Sequence, residues 1–352
     1  MPRIASFQDR GLTGLGRRQS VNLFGTLTFL GGVGIISYGD NPVRLAMSWD
    51  GGNVYASSLN NVISAISIAP STGTLGFIPG AEYLDHGGNG LVPAYSGNYL
   101  YALGNDILHS VSIYSRDPVD GQLTYISSTT LANAIFKNGV ITSDSSNLYV
   151  TDAFNNAVRL YRLNPSTGAI TTTAYRAVGA GSAPRGIVIN SDNTFVYVAN
   201  YALATIKAYS RNLSTGVLTL IGTYDSPSWG MLVIDELGQN IYTVSGSFVN
   251  AWTIDPAAGT LTALESTAIP YIVTFWNALA ITPNGTSVYA GDVDGNIYNF
   301  QRDAVTGALT YIDFTTTIFR SISDIKVSRD NRWVYVSDID TGVVTQFSRN
   351  II

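Results

Sequence analysis

Residues Gly186–Tyr224 read GIVINSDNTFVYVANYALATIKAYSRNLSTGVLTLIGTY, and four short strands are legible in them. An apolar run, Gly186–Asn190, precedes a Ser-Asp-Asn turn and the aromatic, β-branched run Phe195–Val198. A polar bend around Asn200 leads to the alternating Thr205–Ser210, and a turn ending in Thr215-Gly216 leads to Val217–Tyr224. Short runs rich in Val, Ile, Thr and Tyr, bounded by Gly, Asn, Asp and Ser, are strand signals. The stretch decides the fold because it recurs.

Its turn before the last strand returns around Gly73, Gly121, Gly168, Gly216, Gly259 and Gly307, in steps of 48, 47, 48, 43 and 48 residues. Its aromatic second strand returns independently as Val54-Tyr55, Leu100-Tyr101, Leu148-Tyr149, Val196-Tyr197, Ile241-Tyr242, Val288-Tyr289 and Val334-Tyr335. A period of about 40–50 residues points to a propeller or an array. The tyrosine mark appears seven times and the turn glycine six times after residue 50, so the last unit lacks its fourth strand. Phe24-Gly25-Thr26-Leu27-Thr28-Phe29-Leu30 matches Thr306-Gly307-Ala308-Leu309-Thr310-Tyr311-Ile312 in pattern. The expected fold is therefore an all-β, seven-bladed β-propeller with four antiparallel strands per blade. Residues 24–31 would close the last blade, which removes exposed strand edges and ties down both chain ends.

The 352 residues are 45 % hydrophobic and only 12 % charged, so solubility rests on Ser, Thr, Asn and Gly. A net charge of −5, with three Lys against sixteen Arg, argues against a general nucleic-acid binder. Cysteine is absent, which excludes disulfides, thiolate metal sites and cysteine nucleophiles. With only His86 and His109 present, a histidine-rich zinc site is not expected, and no cofactor is. No apolar run is long enough to cross a bilayer, and the N-terminus carries no apolar stretch of a standard secretory signal.

Ala183-Pro184-Arg185-Gly186 through Val196-Tyr197-Val198-Ala199-Asn200, and Tyr161-Arg162-Leu163-Asn164-Pro165-Ser166-Thr167-Gly168, resemble blades of the lactonase-type seven-bladed β-propellers. That family includes 6-phosphogluconolactonase-like and cycloisomerase-like enzymes, and the resemblance covers roughly residues 24–350. It implies a site where the loops entering the inner strands converge on the channel. In such proteins a His tends to follow the Pro-Arg pair and a Glu tends to follow the second strand's Asn. Here those positions hold Gly186 and Tyr201. Lactone hydrolysis needs a base for water and a donor for the developing oxyanion. The chain keeps a donor, Arg185, without that base.

Other candidates carry a plainer reading beside the functional one. His86, in Asp85-His86-Gly87-Gly88-Asn89-Gly90, would be an acid–base residue in a Gly-rich loop, or a loop residue capping a turn. His109 falls in an expected third strand, Leu108–Tyr114, and reads as structural. Asp292-Val293-Asp294-Gly295-Asn296 opens like a calcium loop but lacks the later bidentate Glu, so a hairpin turn is expected. Arg44, Asn138, Arg185, Trp229, Asn277 and Ser323 stand just before the inner strands, with Trp276 beside Asn277. They would ring one mouth of the channel, where Trp faces stack on sugars or cations and Arg and Asn give directional hydrogen bonds. The plainer reading wedges Trp229 and Trp276 between blades.

Residues 1–20 fit no blade and form an extension to a propeller over residues 21–352. Arg10, Arg17 and Arg18, with the apolar Ile4, Phe7, Leu12 and Leu15, mark it as an anchor on a partner chain. The sequence thus favours a non-catalytic structural or binding propeller docked to a larger assembly, a virion surface or tail component being the most concrete form. Its faces would meet a partner protein or a glycan. The alternative is a lactonase-like hydrolase, with Arg185 polarising a carbonyl and His86 or a loop carboxylate as base.

Overall fold

The computed structural model describes residues 25–34, 42–58, 60–83, 88–104, 109–177, 183–226, 230–273, 275–317 and 321–351. They form seven antiparallel sheets and, among them, no helix long and apolar enough to cross a membrane. Blade 1 runs through Pro42–Met47, Asn53–Ser58, Ile63–Ile68 and Leu75–Tyr83. Blades 2, 3 and 4 begin with the inner strands Gly88–Pro93, Phe136–Ile141 and Pro184–Ile189, each followed in order by three further strands. Blade 5 begins at Leu232–Ile234, and its outer edge is broken into Leu261–Ala263 and Thr267–Ala268. Blade 6 begins at Trp276–Ile281 and blade 7 at Ile322–Val327. The inner strands of successive blades lie side by side, and that of blade 7 returns to that of blade 1. The chain is a closed seven-bladed β-propeller.

The expected closure holds. Leu27–Gly34 pairs antiparallel with Val343–Arg349 and supplies the fourth strand of blade 7. It starts and ends three residues later than the segment 24–31 expected from the sequence, and Phe24 lies outside the described residues.

Composition follows position within a blade. The second strands Asn53–Ser58, Asn147–Asp152, Phe195–Asn200 and Ser287–Asp292 are buried at every residue, covered by a neighbouring blade on each face. They are accordingly rich in Val, Tyr and Ala rather than alternating. Outer strands such as Leu123–Thr130 are exposed or half-buried after their first residue and are rich in Ser, Thr and Tyr.

The tyrosine and glycine marks meet at every junction between blades. Each second-strand Tyr hydroxyl donates to the turn-Gly carbonyl of the next blade: Tyr55 to Gly121, Tyr101 to Gly168, Tyr149 to Gly216, Tyr197 to Gly259, Tyr242 to Gly307 and Tyr335 to Gly73. The seventh, Tyr289, donates to Gly25 at 2.6 Å. Gly25 is thus the missing turn glycine. It takes φ +74°, close to Gly73 at +66° and Gly307 at +75°, the left-handed region where a side chain is strained. Burial pushes the Tyr242 and Tyr289 hydroxyls up to about 12, so they remain protonated donors.

The junctions come in two kinds. At four of them an Arg ending the third strand reaches back to that Tyr hydroxyl: Arg116 to Tyr55, Arg211 to Tyr149, Arg302 to Tyr242 and Arg349 to Tyr289. There the residue two before the Tyr is small and polar: Asn53, Asn147, Asn240 or Ser287. At the other three that residue is Tyr99, Phe195 or Trp333, and the third strand ends in Leu163, Ile254 or Ile68. Around the ring the kinds alternate except where two polar junctions flank blade 6.

Candidate functional site

The channel enclosed by the inner strands holds a cavity of about 650 Å³. Arg44, Asn138, Arg185 and Asn277 all line it, together with Asn89 and Lys137, which sequence reading missed. These residues lie within the inner strands rather than just before them. The reason is a register shift: bulges separate Pro42 from Arg44, Phe136 from Gly139, Pro184 from Ile187 and Trp276 from Ala278. A bulge re-aims the side chains beside it.

Two expectations from the sequence are corrected, one at this mouth and one away from it. Ser323 does not face the channel. It is buried, with its hydroxyl 2.8 Å from that of Ser337, and its carbonyl accepts from Arg44 Nη1 at 3.0 Å. His109 is not inside the third strand, which runs Ser110–Arg116. It sits before it at φ +47°, with its ring Nδ1 bonded to the Ala134 carbonyl, a structural role as expected. Trp276 is a wedge at the blade 5 and 6 junction: 2 % exposed, edge-on to Tyr298 and donating through Nε1 to the Gly246 carbonyl at 2.6 Å. Asp292 forms the expected turn, accepting from the amides of Asp294 and Asn296 and from the Tyr298 hydroxyl. His86, Trp229 and the anchors Ile4, Phe7, Arg10, Leu12, Leu15, Arg17 and Arg18 lie outside the described residues.

Arg185 is held from several sides. Its carbonyl accepts from Thr151 of blade 3 at 2.8 Å. Its guanidinium lies 3.9 Å over the Tyr201 ring, and Gly230 of blade 5 is close enough that a Cβ there would meet the Arg185 Cδ at 2.8 Å. Surrounding protein lowers the Arg185 pKa; Tyr201 acts against this and the charge of Arg44 adds to it. Arginine stays protonated regardless. Among the described residues no carboxylate forms an ion pair with it.

The channel lining carries five cations, Arg44, Lys137, Arg185, Lys326 and Arg329, against two carboxylates, Glu236 and Asp324. Asp324 is committed to structure. It accepts from the Leu45 amide at 2.9 Å and from Lys326 Nζ at 3.1 Å. The position beside Arg185 is closed as well: a Cβ on Gly186 would stand 2.7 Å from both the Gly230 carbonyl oxygen and Leu232 Cδ2. The site as built attracts negative charge and offers hydrogen-bond donors. The two lining carboxylates are ion-paired to Lys326 and Arg329, and neither pairs with Arg185.

The family model for the lactonase seven-bladed β-propeller matches residues 139–234, which span this Arg185 blade. The chain is similar in structure to a putative 6-phosphogluconolactonase from Bacteroides fragilis, with TM-score 0.69 and 21 % identity over 81 % of this chain and 86 % of that one. It is also similar to the periplasmic gluconolactonase PpgL of Pseudomonas aeruginosa, with TM-score 0.71 and 17 % identity over 86 % and 90 % of the two chains. The β-propeller domain of Cps50 (Swd1) from Myceliophteria thermophila gives TM-score 0.70 at 11 % identity over 92 % and 99 %. No curated protein matches the sequence. The chain therefore resembles the lactonase-type propellers, and at these identities the structural likeness is one of fold.

Proposed function

We propose that this protein is a non-catalytic binding propeller whose channel mouth takes a small polyhydroxylated anion, such as a sugar acid or an acidic residue of a glycan. One observation carries the reading: five cations face two carboxylates in the channel of a chain whose net charge is −5. A cleft lined by one sign of charge focuses the field and concentrates counter-charged ligands. Arg185, stacked on a neutral ring, keeps its donors for a carboxylate, while Asn89, Asn138 and Asn277 suit hydroxyls. In this reading residues 1–20 dock the propeller to a larger assembly, a virion included; that part rests on sequence alone.

Calorimetric titration of D-gluconate and D-glucose into the full chain tests the proposal. Gluconate binds and glucose does not, and Arg185→Ala weakens gluconate about tenfold or more, as expected for a charged hydrogen bond. Equal binding of both sugars, or no binding of gluconate, would overturn it. The second reading, a lactone hydrolase using Arg185 with His86 or a loop carboxylate, is favoured by the family match over the Arg185 blade.

A further inference from the structure

Each turn leaving an inner strand places a residue at the far mouth of the channel, a strand length, about 20 Å, from the Arg185 end. Four of these residues are joined. Glu236 of blade 5 and Arg329 of blade 7 form an ion pair at 3.2 Å, although blade 6 stands between them. The pair is therefore a chord over the mouth, not a contact along its rim. The Arg329 guanidinium lies 3.6 Å over the indole of Trp49 in blade 1. Trp49 in turn stacks on Tyr95 of blade 2, with centroids 3.8 Å apart and planes at 25°, and its Nε1 donates to the Pro93 carbonyl at 3.4 Å. Both Glu236 and Arg329 line the channel cavity and count towards its charge, but the ligand contacts proposed at the Arg185 end, from Arg185, Asn89, Asn138 and Asn277, include none of the four.

We propose that Glu236, Arg329, Trp49 and Tyr95 are a salt-sensitive latch that bars the far mouth and makes the channel a cup filled from the Arg185 end. The bar is built to release. The side chains of Arg329 and Glu236 keep 36 % and 56 % of their exposure, and ion pairs that exposed are weak and screened by salt. Elsewhere on the rim, blades are stitched by neutral amides: Asn193 to Ser143 at 2.7 Å, and the Asn284 amide to Asn331 at 3.0 Å. Salt opens the latch and leaves those stitches in place.

Two ligand-independent readouts test this. Acrylamide, a neutral quencher, reports the exposure of Trp49 as the difference between the full chain and its Trp49→Phe variant. The quenching constant rises roughly twofold between low salt and about 1 M NaCl, where the screening length falls to about 3 Å. Glu236→Gln and Arg329→Gln show the raised value at low salt and lose the salt response. Because the chain has no cysteine, Ile281→Cys, at the half-buried last residue of the blade 6 inner strand, gives a single reporter on the channel wall. Its labelling by iodoacetamide accelerates by a similar factor when Glu236→Gln is added. A quenching constant indifferent to salt and to both variants would overturn the latch. So would quenching that responds while labelling does not, since the contact would then close nothing.

Discussion

A Cβ at Gly186 meets the Gly230 carbonyl oxygen and the Leu232 side chain at 2.7 Å each, and this single crowding fixes what the Arg185 mouth can do. The position is where the resemblance to lactonase-type propellers leads one to look for a His. In this chain the backbone of blade 5 occupies the space that side chain would need, so the glycine is demanded by packing between blades 4 and 5. Its φ is not positive, so the constraint is space and not backbone strain. Gly186→His is therefore expected to destabilise the fold by about 1–3 kcal/mol, the usual cost of overpacking, and to give no lactonase activity. Urea unfolding reads the first effect, and a variant as stable as the parent would contradict the packing described. Tyr201 completes the exchange: a ring face holds Arg185 without neutralising it, where a carboxylate would pair with it.

At the scale of elements, the two kinds of blade junction divide the stabilising work differently. Polar junctions bury an Arg that must satisfy many groups at once. Arg302 donates to the Tyr242 hydroxyl at 2.6 Å, the Asn240 side chain at 2.7 Å and the Asp235 carboxylate at 2.9 Å. Apolar junctions pack an aromatic on the turn glycine instead, as Phe195 does on Gly259. The kinds are self-consistent sets, so single crossings between them leave a buried polar group unpaired. Phe195→Asn and Ile254→Arg are each expected to cost several kcal/mol, whereas together they rebuild a polar junction and recover about 1–3 kcal/mol of coupling. A double-mutant cycle by denaturant unfolding measures this; strict additivity would show that the alternation has no energetic content. The pattern was present in the sequence two residues before each Tyr, but it becomes legible only once the Tyr and the next blade's glycine are known to touch.

For the whole molecule, the period of the turn glycines and second-strand tyrosines was enough to read seven blades and the closing N-terminal strand. Gly25 even keeps the spacing, 48 residues before Gly73. The site was less legible. The bulge at the start of the inner strand is the same in blades 1 and 7, and by register the counterpart of Arg44 is Asp324, which also lines the channel; Ser323 stands one residue earlier and turns into the blade. Asn89 and Lys137 were missed because a sequence gives no sign of which face a residue beside a bulge will take. Composition held a clue, since two of only three lysines, Lys137 and Lys326, line the channel of an acidic chain. That charge distribution, with no carboxylate ion-paired to Arg185 among the described residues, is what supports the central proposal that the channel binds and does not hydrolyse. The direct test is the rate of glucono-1,5-lactone opening with the full chain and with Arg185→Ala, each against buffer. The account predicts the buffer rate for both proteins. A rate above buffer that falls on Arg185→Ala would contradict it and make the protein a lactone hydrolase.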